Sequence, residues 1–363
     1  MTTQYQVRIY SRTGQIQHVV TDMLALSYVR EVNAPGLLLF DLRADHRSIA
    51  DLQLDSQVEV WRRNPEQGIG WYCDFWGFWR GEERRADENG QRRYRAFCPG
   101  QMDLLARPIV AYPSEAANRS VWTSVAAETV AKTLVRYNAT ADGTTADGRV
   151  RQAMDRGIAL QGDAGRGNLL SLACAWRRLL DVLRDVAELG GGDFDLVKFG
   201  ATQWEFRWYP GQLGSDRRDS VCFALYWGNI ANPLLTRDHM GERTVAIVGG
   251  QGQEANRAIV ARTGANYDAQ YNLVEVFVDR RDLSVTAALQ AAGDGALKGL
   301  QTRDDMEFAV LQAPHTLYGR HYFLGDLVTG VVEGVAAYKQ IRRVAVGLAG
   351  DGGETITVEM RNV

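Results

Sequence analysis

The chain has 363 residues, of which 45% are hydrophobic and 23% charged, and its net charge is −3. That length fits roughly two to four domains, and the composition excludes a disordered chain. Without a global basic field, tight sequence-independent binding of nucleic acid is excluded as well.

Nine Trp and fourteen Tyr exceed what a simple core needs, which points to large buried sheets or protein–protein interfaces. The 37 Gly against 8 Pro fit many tight turns between strands. Cys73, Cys98, Cys174 and Cys222 lie in apolar runs without CxxC spacing, so they read as reduced core residues and not as zinc ligands. The N-terminus begins directly in a strand pattern with no signal segment, and no apolar run approaches the roughly 20 residues of a membrane helix. The expectation is a soluble protein made in the cytoplasm, with no stable membrane insertion.

In chain order, residues 4–10 alternate as a strand, with Tyr5, Val7 and Ile9 on one face. Residues 37–42, after Pro35-Gly36, and 58–61 read as further strands. In 71–80, Trp71, Phe75 and Trp79 point one way, and Tyr72, Trp76 and Phe78 the other. Such a strand is covered on both sides, either inside a closed barrel or with one face in a subunit interface. Asn89-Gly90 is a hairpin signal joining 80–87 to 91–98. That hairpin mixes Arg80, Arg84, Arg85, Arg92, Arg93 and Arg95 with Glu82, Glu83, Asp87 and Glu88, which reads as solvated surface and not a nucleic-acid patch.

The texture changes from residue 109, where Pro108 and Pro113 punctuate the chain. Residues 124–137 read as a helix with Ala126, Val130 and Leu134 as its stripe and Glu128 in its first turn; 139–150 reads as a loop. Asn168 is placed as the cap of a second helix. Its apolar face is Leu169, Leu172, Trp176, Leu179, Leu183 and Val186, and Gly190-Gly191-Gly192 ends it. Strands follow at 194–199 and 202–209, the second with Trp204, Phe206 and Trp208 on one face and Glu205 and Arg207 on the other. A helix laid on this hairpin buries both apolar faces, which makes 109–215 a small α/β insert. Beyond Asp216 the chain returns to strands at 221–227, 244–249, 258–262 and 273–278. A short helix, 284–292, is stopped by Gly293, and a β-meander closes the chain.

Tests for chemistry return no site. Gly250-x-Gly252-x-x-Ala255 matches a dinucleotide fingerprint superficially, but a strand-like segment follows it where a helix is required, so it reads as a hairpin connection. His18, His46, His239, His315 and His321 are scattered; only the last two are near each other, and they lack a third ligand. Asp216-Arg217-Arg218-Asp219 reads as a turn with local ion pairs, against the sharper alternative of a register-setting seam contact. No catalytic, cofactor-binding or metal-binding residue is assigned, no cofactor is expected, and the chain is read as a non-enzyme.

Several segments, in order, carry a resemblance. They are Cys98-Pro-Gly-Gln-Met-Asp-Leu-Leu-Ala-Arg-Pro-Ile, Asn118-Arg-Ser-Val-Trp-Thr-Ser-Val, Arg166-Gly-Asn-Leu-Leu and Leu213-Gly-Ser-Asp-Arg. Trp227-Gly-Asn-Ile, Val248-Gly-Gly-Gln-Gly and Tyr318-Gly-Arg-His-Tyr-Phe-Leu-Gly-Asp-Leu-Val complete the set. Together they resemble the tail hub proteins of siphophages, the minor tail proteins that form the tail tip below the distal tail ring.

The resemblance implies an α+β, β-rich fold of phage tail hub architecture. Two tube-like β-barrel domains, 1–108 and 216–363, would flank the inserted α/β domain at 109–215, the second carrying a peripheral C-terminal meander. It further implies a homotrimeric ring in the virion, at the distal end of the tail. The implied partners are the distal tail protein ring, the tape measure protein and tail-tip or fibre proteins, with phage DNA passing through transiently. Longer relatives carry lytic or receptor-binding extensions, and this chain ends at Val363, so those tasks are expected of other proteins. Two rival readings are a host-surface carbohydrate or receptor binder using Trp71, Trp76 or Trp79, and a peptidoglycan hydrolase.

Overall fold

Strand pairing begins with β1 (Gln4–Tyr10) and β2 (Ile16–Val20), an antiparallel pair. Next in the chain are β3 (Ala25–Glu31), β4 (Leu37–Arg43), β5 (Gln57–Asn64) and β6 (Ile69–Phe78). The computed structural model describes residues 3–86, 90–110, 120–142, 156–174, 176–281, 283–301, 303–350 and 352–363. Within it β2, β1, β5 and β6 form one four-stranded sheet. The alternation of β1 sets its buried face: Tyr5, Val7 and Ile9 lie opposite Arg62, Val60 and Val58 of β5, and all six are buried.

The β7 (Gly81–Ala86) and β8 (Arg92–Pro99) strands pair antiparallel, as the hairpin signal predicts. The turn residue Asn89 and the acidic Asp87 and Glu88 lie outside the described residues. A short helix, α1 (Asp103–Ala106), follows.

Two helices carry the inserted segment. β9 (Ser120–Ala126) leads into α2 (Ala127–Ala139), so this helix starts later than the expected 124. The expected loop 139–150 and Pro113 fall largely outside the described residues. β10 (Ile158–Leu160) and β11 (Leu169–Cys174) precede α3 (Leu179–Gly190). The helix expected from Asn168 onward is therefore half strand. Leu169–Cys174 pairs with β9, and only Leu179, Leu183 and Val186 lie on a helix. Its N-cap is Arg178, and Asn168 instead donates its amide to the Leu189 carbonyl at 3.0 Å. Gly191 ends the helix at φ +64°.

β12 (Gly192–Lys198) and β13 (Trp204–Pro210) form the expected hairpin, with β10 added parallel on its outer side. Trp204, Phe206 and Trp208 are buried against Val130, Leu134, Leu183 and Val186. Trp208 sits so close to Gly192 that a Cβ there would lie 2.6 Å from its ring.

β14 (Cys222–Ala224) is shorter than the expected 221–227 strand, because Leu225–Trp227 turns as a 3-10 helix. β15 (Ile230–Asp238), β16 (Val245–Gly249), β17 (Ile259–Thr263) and β18 (Glu275–Asp279) come next, then α4 (Thr286–Gly299) and β19 (Arg303–Val310). Gly293 does not stop α4. It lies inside it, where a Cβ would meet Arg262 at 2.8 Å and Val248 at 2.9 Å. It is a packing glycine that lets the helix approach the sheet. The Gly250–Gly252 segment connects β16 to its antiparallel neighbour β17, as expected.

The chain returns through β20 (Leu327–Val332), β21 (Val335–Leu348) and β22 (Glu354–Asn362). The long β21 organises the largest sheet, β14-β20-β21-β3-β4-β8-β7, with β22 paired to β21 as well. Leu26, Phe40 and Ala96 form one buried cross-strand row, and Tyr28, Leu38 and Cys98 another. Among the described residues these pairings trace no closed barrel.

By contacts, one compact unit comprises Met1–Ala231, Ala309–Val331 and Ala336–Val363, and the other Asn232–Phe308 with Val332–Val335. In the second, β16 lies between β17 and β18, and α4 packs its Leu289 and Leu297 onto Ala246 and Val248.

Candidate functional site

The most concentrated chemistry in the chain is a buried polar seam in the larger unit, built on β1, β3, β5 and β6. The alternation of β6 is broken by a bulge: Val60 pairs with Phe75 but Trp61 with Cys73, which leaves Asp74 as the extra residue. The bulge turns the Asp74 carboxylate inward, where it is fully buried. Tyr28 of β3 donates its hydroxyl to one carboxylate oxygen at 2.6 Å. Arg30 and Tyr318 donate to the other at 2.7 and 2.8 Å. Burial, followed by the Asp74 charge, pushes both tyrosine hydroxyls well above their ordinary range, so they remain donors.

A second charge pair extends the seam. Arg62, 2% exposed, donates its Nε and Nη2 to the two carboxylate oxygens of Glu354 at 3.0 and 3.2 Å. Its Nη1 reaches the Tyr72 hydroxyl and the Tyr318 carbonyl, both at 3.1 Å. Tyr5 also bonds Glu354. Burial disfavours the Arg62 charge, but the Glu354 bonds outweigh it and hold the guanidinium protonated. Two cations therefore face two carboxylates, and strands from both ends of the chain are stapled together. A carboxylate engaged in this way is a clamp, its oxygens committed to donors of the chain itself.

A parallel junction ties the inserted segment to the large sheet. Asp193, 2% exposed, accepts from Asn33, Arg342, Gln340 and the Leu213 N–H at 2.9, 2.9, 2.7 and 3.0 Å. Asn33 returns a bond to the segment by accepting the Phe194 N–H at 2.8 Å.

The residues singled out in the sequence occupy separate places. Arg218 pairs with its neighbour Asp216 at 2.6 Å, as the local-turn reading expects. Arg217 instead reaches the buried Asp326 at 2.7 Å, a long-range pair inside one compact unit, and Asp326 also accepts the Ser215 and Phe323 N–H groups. His321 accepts the Leu317 N–H within a turn, and His315 stacks on Trp227, so the two do not converge on a common ligand. The four cysteines are free thiols. Among the described residues no group of three or more His, Cys, Asp or Glu is arranged to hold a metal, and no helix is long and apolar enough to cross a membrane.

The aromatic strand is occupied by the protein's own groups. Arg63 covers the Trp71 ring at 4.7 Å, and Trp79 donates its indole N–H to Tyr94 at 2.9 Å. Neither the seam nor the Asp193 junction was identified from sequence. One signal was available: a lone Asp in an otherwise aromatic strand that is covered on both faces needs buried partners.

A β-rich chain with an inserted helix-on-hairpin segment, clamped by buried ion pairs and closed by its own C-terminal strands, is the fold of phage tail proteins. It matches the 43 kDa tail protein of prophage MuSo2 from Shewanella oneidensis at TM-score 0.61 and 10% identity, over 99% of this chain and 98% of that one. It matches the tail protein from Neisseria meningitidis MC58 at 0.55 and 12%, over 99% and 97%. Prophage tail protein gp18 from Listeria monocytogenes EGD-e matches at 0.53 and 10%, over 98% and 94%. The chain belongs to the Siphovirus ReqiPepy6 Gp37-like protein family, whose model matches residues 6–360. No curated protein matches its sequence at a significant level. Family and fold bear out the resemblance read from the sequence: the chain belongs to a siphovirus protein family and shares the fold of solved phage tail proteins.

Proposed function

We propose that this chain is the hub of a phage tail tip. Three copies form a ring that closes the tail tube, joins the distal tail ring and the end of the tape measure, anchors tip proteins or fibres, and lets DNA pass on ejection. The observation that carries this reading is the end-to-end match to tail proteins: 99% of this chain against 98% of the MuSo2 protein, with no large segment left over on either side. The division into β-rich segments at 1–108 and 216–363 around an insert at 109–215 belongs to the same proposal. Two tube-like domains in each of three copies would present a pseudo-sixfold surface to a sixfold ring. A net charge of −3 suits a conduit that DNA crosses without being held.

The role is assembly without catalysis. The buried carboxylates Asp74 and Asp193 and the half-buried Glu354 are each committed to named donors, which supports a structural part for them. The carbohydrate-binding reading loses support at two of its three candidates, because Trp71 and Trp79 are engaged by Arg63 and Tyr94.

Negative-stain electron microscopy of the purified chain, alone and mixed with the distal tail protein of the same particle, tests the proposal. Threefold rings with a central hole that stack on a sixfold ring are expected. A chain that stays monomeric and ignores the ring protein would overturn it.

A further inference from the structure

One face of the β2-β1-β5-β6 sheet carries cations laid on aromatic rings. The residues of β1 and β5 that point away from the buried Val7 and Val60 pair across the strands as Gln4 with Arg63, Gln6 with Trp61 and Arg8 with Glu59. The Arg8 guanidinium lies 3.9 Å from the Trp61 ring centre and donates to the Gln6 side-chain oxygen at 3.0 Å. Arg63 lies 4.7 Å from the Trp71 ring centre and donates to the Gln4 side-chain oxygen at 2.6 Å. Each guanidinium thus meets an indole and a glutamine in place of a carboxylate. The carboxylate of these rows, Glu59, is spent on Lys198, Trp61 and Tyr10 at 2.7, 2.8 and 2.9 Å. Arg8 and Arg63 are left as excess positive charge on this face, in a chain whose net charge is −3.

Charge and spacing select the occupant. A guanidinium stacked on an indole still offers its N–H edge, the geometry that takes an oxyanion side-on. Arg63 stands opposite Gln4, four residues along β1 from Arg8, so the two are about 13 Å apart along the strands. An extended segment laid along them would place acidic side chains at positions i and i+4 over both, and its i+2 side chain over Trp61. On a helix those acidic positions are only about 6 Å apart and would miss one arginine. Nucleic acid suits the face less well, because the arginines already cover the indoles on which bases would stack. Val19, opposite Arg8 on β2, is 47% exposed and adds an apolar contact of the kind protein interfaces use. This chain has one acidic–apolar–acidic strand of that spacing, Glu275, Phe277 and Asp279, but its Asp279 is already held by Arg257 and Arg281 at 2.6 and 3.2 Å.

We propose that the outward face of β1 and β5 docks an extended acidic segment of another protein, with carboxylates four positions apart on Arg8 and Arg63. The inference goes beyond the ring reading and does not depend on it.

Fluorescence anisotropy of the labelled peptide Thr-Glu-Thr-Val-Thr-Glu-Thr, titrated with the full chain, tests it. Wild type should bind in the millimolar range or tighter, and less well as salt is raised. The peptide Thr-Thr-Glu-Glu-Val-Thr-Thr, of equal charge and composition, should bind about tenfold or more weakly. Arg8→Gln and Arg63→Gln should each lose about tenfold or more, with unchanged thermal unfolding. Lys298→Gln, the same loss of charge at an exposed residue of the other compact unit, should bind like wild type. The inference fails if wild type binds neither peptide or both equally, a comparison that needs no variant to fold. It fails equally if the folded arginine variants bind like wild type. Tighter binding of a thymidine oligonucleotide would overturn it in favour of nucleic acid. Loss of self-association by the arginine variants in sedimentation velocity would overturn it in favour of a second copy.

Discussion

Tyr318 donates its hydroxyl to the buried carboxylate of Asp74 at 2.8 Å across 244 positions of sequence. Asp74 also holds Tyr28 and Arg30, so a single bulged residue on β6 joins three distant segments. Removing its charge leaves the Arg30 guanidinium facing a neutral group in the interior. Asp74→Asn should therefore cost about 3–5 kcal/mol of stability, whereas Tyr318→Phe, which deletes one bond to a charged acceptor, should cost about 2 kcal/mol. Denaturant unfolding of both variants measures the ranking, and equal losses would contradict the central place given to Asp74.

Arg62 and Glu354 should behave as a coupled pair. Arg62→Met alone strands a carboxylate that also holds Tyr5, and Glu354→Gln alone strands a guanidinium that is 2% exposed. Each single change is expected to be more damaging than half of the double change, with a coupling energy of about 1–3 kcal/mol in a double-mutant cycle. Additive losses would mean that the pair is not the unit that holds β22 to β5.

Two glycines of α4 should respond in opposite directions. An alanine Cβ at Gly295 meets nothing within 4 Å, so Gly295→Ala should stabilise by about 0.5–1 kcal/mol through helix propensity. At Gly293 the same atom would lie 2.8 Å from Arg262 and 2.9 Å from Val248, so Gly293→Ala should destabilise or shift the helix. Thermal unfolding monitored at α4, for instance by hydrogen exchange, distinguishes them.

Two carboxylates should give the protein opposite pH responses. Burial pushes Asp195 up from 3.8 to about 6, against the pull of Arg30 and the Leu196 N–H. A raised acid contributes its stability below its unfolded value and loses it as the pH climbs through about 6. Asp195→Asn should thus gain about 3 kcal/mol over wild type at pH 8 and nothing below about pH 4. Burial would also raise Glu128, but hydrogen bonds from Arg166 and Lys132 outweigh it and hold the group at about 2. Its contribution is present above 4.5 and fades as the pH falls toward 2. Glu128→Gln should therefore lose about 3 kcal/mol at pH 7, and the loss should shrink in acid. Stability curves of both variants against pH check the two signs.

Local pattern was readable wherever one face alone is buried. The alternation of Tyr5, Val7 and Ile9, and of Trp204, Phe206 and Trp208, predicts strands that the structure contains. Reading failed where one stretch satisfies two periods. Leu169 and Leu172 fit a helical stripe continuing to Leu183, yet they pair as a strand with β9 because a partner strand lies beside them. Gly293 reads as a stop, and only the closeness of Arg262 and Val248 reveals it as a packing contact. The seam depends on which strands meet across the whole chain, and no local window carries that information. The Leu225–Trp227 turn was hidden for a related reason: its apolar residues look like a continued strand until the chain is seen to bend at Gly228.

The long strand β21 pairs with β3, placing Leu348 beside Leu26 and Val344 beside Arg30. Strand β3 therefore lacks this neighbour until residues 335–348 have been made. At roughly 5–20 residues per second, that wait is on the order of 20–70 seconds. During it, β3 offers an open edge that any other nascent strand could capture. Folding of this sheet thus waits on a contact of high sequence separation, and it should be slow and sensitive to chain crowding. A cell producing many copies at once would need a chaperone at that stage more than at any later one.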